Sequence, residues 1–203
     1  MHAAHRATGK EVAIKVVNKE KIDEKTVAQF QNEAAILSRM KHKNLLRLIE
    51  VIDTPEMLFI VTDYYPSGDL QNFMECRDYE PLSEETAKQF TRHLAEGIKY
   101  LHARSIIHRD VKPENILLVD ITTGKAPVLA DFGLARHIPD KKTIIGRCGT
   151  KGYMAPEILA GKAYSLPADI WAFGTLLYAL VSAQLPFPVL EGSLTKDNIE
   201  QFY

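Results

Sequence analysis

The sequence predicts an α+β fold with two lobes, a small β-rich lobe followed by a larger helical lobe. Strand patterns dominate the first sixty residues, and helical patterns dominate the rest. Between them, Pro66-Ser67-Gly68 interrupts both patterns, so we predict the link between the lobes at residues 63–68. The predicted lobes are therefore residues 1–62 and residues 69–203.

The small lobe is predicted to contain three strands and one helix. Thr8-Gly9 is typical of a turn before the first strand. Apolar residues recur at helical spacing from Val27 to Leu37, which indicates an amphipathic helix. The predicted elements are a strand from Glu11 to Val17, a helix at 24–40, and strands from Leu45 to Ile52 and from Met57 to Thr62.

The large lobe begins with a capped helix and contains a strongly apolar one. Ser83 is a suitable N-cap, and the acidic residues that follow it suit the positive end of a helix. Residues 170–183 form a second helical run of fourteen residues. That length favours a buried core helix over a membrane span.

Composition excludes some classes of function. The formal net charge is −1, which argues against a general nucleic-acid-binding protein. The two cysteines, Cys76 and Cys148, have no metal-ligand spacing and are interpreted as reduced thiols. We therefore expect a cytoplasmic protein, with the nucleus as the alternative, and no membrane span.

Two charged side chains lie in apolar surroundings. Lys15 interrupts the apolar run from Val12 to Val17, and Glu33 lies on the apolar side of its predicted helix. Because a lone buried charge is costly, these opposite charges are candidate partners. The alternative is that Lys15 extends from an edge strand to water and Glu33 lies at the margin of the apolar stripe. The residues alone leave both interpretations open.

Two short polar clusters follow apolar runs and bring together acids, a base and an amide. They are His108-Arg109-Asp110-Val111-Lys112-Pro113-Glu114-Asn115 and Asp131-Phe132-Gly133. The flanking apolar runs read as buried strands, so each cluster is predicted to lie on a rigidly held loop. Carboxylate and amide oxygens suit Mg²⁺, which binds one or two protein groups together with substrate phosphates.

These clusters resemble the catalytic loop and the metal-binding triplet of eukaryotic serine/threonine protein kinases. The resemblance implies a bilobal kinase fold, ATP and Mg²⁺ as cofactors, and protein substrates with serine or threonine hydroxyls. It implies that Asp110 is the catalytic base and that Lys112 neutralises the γ-phosphate. Asn115 and Asp131 would be the metal ligands.

The same resemblance assigns the residues that hold the nucleotide. Val12-Ala13-Ile14-Lys15 is similar to the kinase strand whose lysine binds the α- and β-phosphates, and Glu33 is similar to the glutamate that fixes that lysine. Thr62 resembles the gatekeeper beside the adenine. Further cofactor-binding positions implied by the family are Ala13 and Leu117 on the adenine faces and Asp63 and Tyr65 in the hinge.

Asp69 resembles the acidic residue that contacts the ribose or a basic substrate side chain. A helix N-cap after Gly68 is an equally good interpretation of Asp69. With Glu114, it gives a weak indication of a basic substrate motif. The stacked apolar residues that link the lobes in kinases would be Leu37, Leu48, His108 and Phe132, positions for which ordinary core packing makes the same prediction.

The segment 131–157 resembles the kinase activation segment, and Ala155-Pro156-Glu157 closes it. Arg109 beside Asp110 implies control by a phosphate on this segment. The usual phosphothreonine position is Gly146 in this chain. We therefore hypothesise that Thr143 is the phosphorylated residue. Farther on, Asp169 would hold the backbone of the catalytic loop.

The chain also departs from the family pattern. Fourteen residues precede Lys15 and contain one glycine, Gly9, so we expect the glycine-rich phosphate loop to be absent. The later large-lobe helices are expected to be absent as well, which would leave apolar surface uncovered and the isolated chain weak or inactive.

The alternative function is a pseudokinase or scaffold. Asp110 to Asn115 resembles the calcium/calmodulin-dependent kinases, and Asp197 to Tyr203 resembles the autophagy-initiating kinases.

Overall fold

The computed structural model describes residues 1–119, 127–139 and 142–187. The resemblance at Asp197 to Tyr203 therefore lies outside the described residues. In the small lobe, a sheet of four antiparallel strands accompanies one helix. The elements are β1 (His2–Ala4), β2 (Glu11–Asn18), α1 (Glu24–Ser38), β3 (Leu48–Asp53) and β4 (Met57–Asp63), with the strand order β1-β2-β4-β3.

The strand β2 positions the first site residues. It pairs with β4 in a register that places Lys15 opposite Ile60 and Ala13 opposite Thr62. Because side chains alternate along a strand, Ala13 and Lys15 share one face of the sheet, the face on which Lys15 reaches Glu33 of α1. The predicted β-rich lobe is confirmed, and β1 is a strand that the sequence did not predict.

In the part of the large lobe that the structure describes, there are four α-helices and two short antiparallel strand pairs. The helices are α2 (Leu70–Glu75), α3 (Glu84–His102), α4 (Pro156–Leu159) and α5 (Pro167–Ser182). The strands are β5 (Ile106–Ile107), β6 (Ile116–Leu117), β7 (Val128–Leu129) and β8 (Arg136–His137). Strand β5 pairs with β8, and β6 pairs with β7. These pairs anchor the two polar clusters.

Some helices and strands begin or end at other residues than predicted, in one case because backbone groups pair with distant residues instead. Strand β3 begins at Leu48 rather than Leu45, because Leu45 bridges to Leu129 and the Leu46 N–H donates to the Leu129 carbonyl. Helix α1 ends at Ser38, and the Arg39 N–H closes its last turn. At Ser83 the predicted N-cap is confirmed, since its hydroxyl accepts from the Thr86 N–H.

The core runs through both lobes. It joins Leu37 of α1 and Leu58 of β4 to Leu101 of α3, Phe132 and Leu176 of α5, all of them buried. The apolar helix predicted at 170–183 is observed as α5. Its other side leaves apolar side chains exposed, namely Ile170, Tyr178 and Val181.

Within the three described ranges, each helix is too short or too polar to cross a lipid bilayer.

Candidate active site

The two charges in apolar surroundings form an ion pair. Lys15 Nζ lies 2.8 Å from Glu33 Oε2 and 3.1 Å from Oε1, so one ammonium group donates to both carboxylate oxygens. It also lies 3.9 Å from Asp131 Oδ1. The predicted pairing of Lys15 with Glu33 is confirmed. Three charged groups from β2, α1 and the second polar cluster therefore meet at one place.

Burial dominates the electrostatics of Glu33. Its side chain is only 4% exposed. Burial raises the pKa of Glu33 above its ordinary value of 4.5, while the nearby Lys15 ammonium opposes that rise. The charged form of Glu33 is therefore stabilised by Lys15 in surroundings that otherwise disfavour a charge.

Replacing Glu33 by Gln is expected to separate activity from stability. Lys15 loses the group that fixes it, so kcat/KM for ATP should fall by up to about 10²-fold, the scale of a misplacement of one ångström. Lys15 is 43% exposed and can be hydrated without Glu33, so the variant should keep its fold. Initial rates of phosphotransfer and urea unfolding measure the two properties.

The pH dependence of unfolding shows whether burial or the attraction of Lys15 dominates the stability contribution of Glu33. The folded state binds the Glu33 proton more tightly than the unfolded chain does. The stability that Glu33 contributes is therefore fully present below pH 4.5 and is lost as the pH rises through its pKa in the folded state. The Gln variant has no such titration, so its stability relative to wild type should increase across that window. If wild type instead gains relative stability there, the attraction of Lys15 outweighs the burial of Glu33.

The predicted catalytic loop, residues 108–115, gathers polar groups around Asp110. Asp110 Oδ2 lies 3.5 Å from Lys112 Nζ and accepts from Asn115 Nδ2 at 3.0 Å. Asp110 Oδ1 accepts from the Thr150 hydroxyl at 2.8 Å. The structure thus brings together the three predicted catalytic residues. It adds Thr150, whose contact with Asp110 the sequence did not reveal.

The predicted activation segment, residues 131–157, approaches the predicted catalytic loop, residues 108–115, very closely beside Thr150. A Cβ atom at Gly149 would lie 2.5 Å from the Arg109 carbonyl oxygen, and Gly149 has a φ of +101°. Only glycine fits both the contact and the backbone conformation. The residue before Thr150 therefore allows that side chain to reach Asp110.

His108 joins the two polar clusters. Its Nε2–H donates to the Ala130 carbonyl at 2.9 Å, and its Nδ1 accepts from the Asp110 N–H at 3.3 Å. These bonds require a neutral imidazole with the proton on Nε2. The ring also packs edge-on against Phe132, 5.0 Å between centroids. His108 therefore fixes Asp110 and Asp131 relative to each other, through the residue beside Asp131.

A buried aspartate holds the predicted catalytic loop by its backbone. Asp169 is fully buried and accepts from the His108 N–H at 2.8 Å, the Arg109 N–H at 2.9 Å and His102 Nε2 at 2.9 Å. Arg109 has a φ of +71°, a strained conformation for a non-glycine residue. The predicted contact of Asp169 with the loop backbone is confirmed, and His102 is an additional partner.

Asn115 and Asp131 have the chemistry of Mg²⁺ ligands. They lie at the same end of the β6–β7 pair, and the Ala130 N–H donates to the Asn115 carbonyl at 2.8 Å. In the described part of the chain, no protein group donates to Asn115 Oδ1 or Asp131 Oδ2. Free carboxylate and amide oxygens fit this ion. The same part of the chain contains no cluster of three or more His, Cys, Asp and Glu side chains suited to a metal.

The residues predicted to surround the adenine lie where β4 ends. Thr62 is buried and its hydroxyl donates to the Ala13 carbonyl at 3.5 Å. Asp63 pairs with Lys10 at 2.6 Å, and its N–H donates to the Arg47 carbonyl. Burial raises the pKa of Tyr65 to about 12. The Tyr65 N–H has no acceptor among the described residues, which suits a hinge donor.

Asp69 and Leu117 lie side by side across an isolated antiparallel bridge. Asp69 caps α2, because its Oδ1 accepts from the Asn72 N–H at 2.8 Å and its Oδ2 accepts from Asn72 Nδ2 at 2.9 Å. The capping interpretation of Asp69 is therefore observed. Its predicted contact with a ribose or substrate stays a prediction.

Comparisons with known proteins agree with this geometry. Residues 1–203 match the family model described as "Protein kinase domain". The chain is 38% identical over 183 residues to the calcium/calmodulin-dependent protein kinase type II of Caenorhabditis elegans, covering 90% of this chain and 25% of that protein. It is 38% identical over 185 residues to the serine/threonine-protein kinase ATG1c of Arabidopsis thaliana, covering 91% and 25%.

A third relative is the serine/threonine-protein kinase DCLK1 of Rattus norvegicus, 40% identical over 183 residues, covering 90% of this chain and 41% of that protein. The chain thus spans between a quarter and about two fifths of the length of these relatives. The family model covers the whole chain, and the ion pair, catalytic loop and metal-ligand positions occur together. The chain belongs to the protein kinase domain family.

Proposed function

We propose that this protein transfers the γ-phosphoryl group of ATP to serine or threonine hydroxyls of protein substrates. The observation that carries the proposal is Lys15 Nζ lying 2.8 Å from Glu33 and 3.9 Å from Asp131. That arrangement can hold phosphate oxygens beside a metal ligand. The relatives ATG1c and DCLK1 are serine/threonine-protein kinases, which supports the substrate class.

In the proposed reaction, a substrate hydroxyl oxygen bonds to the γ-phosphorus, the bond to the β-phosphate oxygen breaks, and ADP leaves. Asp110 orients the hydroxyl and accepts its proton, while Lys112 neutralises the γ-phosphate. Lys15, fixed by Glu33, aligns the α- and β-phosphates. Asn115 and Asp131 would hold Mg²⁺, which when bound supplies positive charge to the phosphate oxygens.

Adenine binding is proposed for the end of β4 and its neighbours. The backbones of Asp63 and Tyr65 would contact the adenine edge, with Thr62 beside them. Ala13 and Leu117 would cover its faces. Residues 63–68 would then be the hinge between lobes at 1–62 and 69–203.

Substrate preference is proposed to include basic residues near the acceptor. The Glu114 side chain lies 3.8 Å from Lys112 Nζ and is still 46% exposed, so a cationic substrate side chain can reach the same carboxylate. Asp69 would add a second negative charge.

For location, we propose the cytoplasm or nucleus, because Cys76 and Cys148 are both free thiols.

The deciding experiment is a phosphotransfer assay on the full-length gene product with labelled Mg-ATP and serine or threonine peptides. Transfer that is abolished by chelating Mg²⁺ supports the proposal. Nucleotide binding without any transfer would instead identify a pseudokinase or scaffold. Peptides with and without basic residues before the acceptor test the proposed preference in the same assay.

Phosphorylation of Thr143 is proposed to activate the enzyme. Thr143 is exposed, and the next residue, Ile144, exchanges two backbone hydrogen bonds with Tyr164. Arg109 Nη1 lies 3.4 Å from the hydroxyl of Tyr164, the residue whose backbone pairs with Ile144. A phosphate on Thr143 could therefore pair with Arg109.

Thr143→Ala is accordingly expected to lower the activity of the phosphorylated enzyme about tenfold, the effect of one charge-assisted hydrogen bond of roughly 1.5 kcal/mol. Thr143→Ser keeps a hydroxyl that can be phosphorylated and should retain activity. Phosphopeptide mapping of active enzyme and kcat measurement check the prediction. Full activity in Thr143→Ala, or an unmodified Thr143 in active enzyme, would refute it.

A further inference from the structure

A side chain next to Glu33 reaches the segment that follows Asp131. Asn32 Nδ2 donates to the Ala135 carbonyl at 3.1 Å, a bond between α1 and a residue 103 positions later in the chain. Glu33 faces the same segment, since a Cβ atom at Gly133 would lie 3.7 Å from Glu33 Oε2. Two consecutive residues of α1 therefore contact the turn that carries Asp131.

That turn is held from the other lobe as well. Arg109 Nε donates to the Leu134 carbonyl at 2.6 Å, and the Ala135 N–H donates to the Phe132 carbonyl at 3.0 Å. Consecutive carbonyls are thus held by different elements, Leu134 by the catalytic loop and Ala135 by α1. Asp131 itself has a φ of +53°, which its surroundings must maintain.

The residue type at position 32 is unfavourable for the helix by itself. Asn is a poor helix former in a helix interior, and alanine there would favour the helix. Any stability that Asn32 contributes must therefore come from its bond to the Ala135 carbonyl rather than from its conformational preference. Removing the contact would leave the carbonyl of Ala135, a residue 1% exposed, without its donor.

We propose that Asn32 is a positioning residue that fixes the Asp131–Ala135 turn to α1. The bond keeps Glu33 and Asp131 in place on either side of Lys15, so the placement of the phosphate-binding lysine and of the metal ligand depends on one amide. This inference rests on the proposed phosphotransfer function, in which Asp131 is a metal ligand. Its structural part can be tested without that function.

The test replaces Asn32 by Ala in the full-length gene product. Hydrogen–deuterium exchange, measured by mass spectrometry on peptides from residues 131–139, should become several-fold faster. In kinetics, kcat/KM for ATP should fall about fivefold, the population change that corresponds to one ordinary hydrogen bond. The KM for the peptide substrate should be unchanged, because the Asp110–Thr150 contact is not altered.

Two further variants make the result specific. Gln29 lies on the same helix, is exposed and makes no side-chain hydrogen bond among the described residues, so Gln29→Ala should change neither exchange nor kinetics. Asn32→Gln keeps an amide donor and should restore most of the protection. Unchanged exchange in Asn32→Ala, or an equal increase in Gln29→Ala, would overturn the proposal. Wild-type protein that transfers no phosphate would refute the proposed function, while the exchange data would still decide the role of Asn32.

Discussion

Asp110→Asn is expected to lower kcat for phosphotransfer by about 10²- to 10⁴-fold, the usual contribution of a positioned general base. An amide neither accepts the hydroxyl proton at neutral pH nor carries the charge that orients the attacking oxygen. The affinity for ATP should be nearly unchanged, because Lys15, Glu33 and Asp131 are not altered. Steady-state kinetics and calorimetric nucleotide titration measure the two effects.

The surroundings of Asp110 indicate that this variant will fold. The Thr150 hydroxyl, which donates to Asp110 Oδ1, can instead accept from an amide, so that contact can be reversed rather than lost. The matched control is Asp78→Asn. Asp78 is exposed and has a φ of +51°, a conformation that Asn tolerates as well as Asp. Equal kcat values for wild type and Asp110→Asn would show that Asp110 is not the base.

The sequence predicted the parts of the site that leave a local signal. Lys15 and Glu33 stand out because each is a charge among apolar residues, and the cost of burying a lone charge suggests that they are paired. Ser83 was predicted as a cap because capping depends on the next three residues. The β-rich and helical parts follow from side-chain periodicity. The roles of Asp110 and Asn115 came from family resemblance, not from these physical signals.

Other contacts could not be predicted because they join distant residues without a pattern. The Thr150–Asp110 bond spans 40 positions and the Asn32–Ala135 bond spans 103. Thr150 has no local signal, and Asn32 only weakly disfavours its helix, so nothing in the sequence identifies the partners of these side chains. Strand β3 was predicted to begin too early for the same reason, since Leu45 and Leu46 pair with Leu129 instead of extending the strand.

Asp169→Asn is expected to cause the largest loss of stability, about 3–5 kcal/mol, as for removal of one partner from a buried charged network. Both carboxylate oxygens accept backbone N–H groups, from His108 and from Arg109. An amide can present only one oxygen, so its NH₂ group must face a backbone donor inside the protein. The midpoint of urea unfolding should shift accordingly, with the slope unchanged.

The companion variant is His102→Ala, which removes one of the three donors and leaves the carboxylate bonded to the loop backbone. Its expected cost is about 1 kcal/mol, that of an ordinary hydrogen bond. In Asp169→Asn, activity should fall further than the unfolded fraction explains, because Arg109 must keep a φ of +71° beside Asp110. If Asp169→Asn unfolded at the wild-type midpoint with normal kcat, the loop would be held by the strand pairs on either side of it, β5–β8 and β6–β7. The buried aspartate would then have no positioning role.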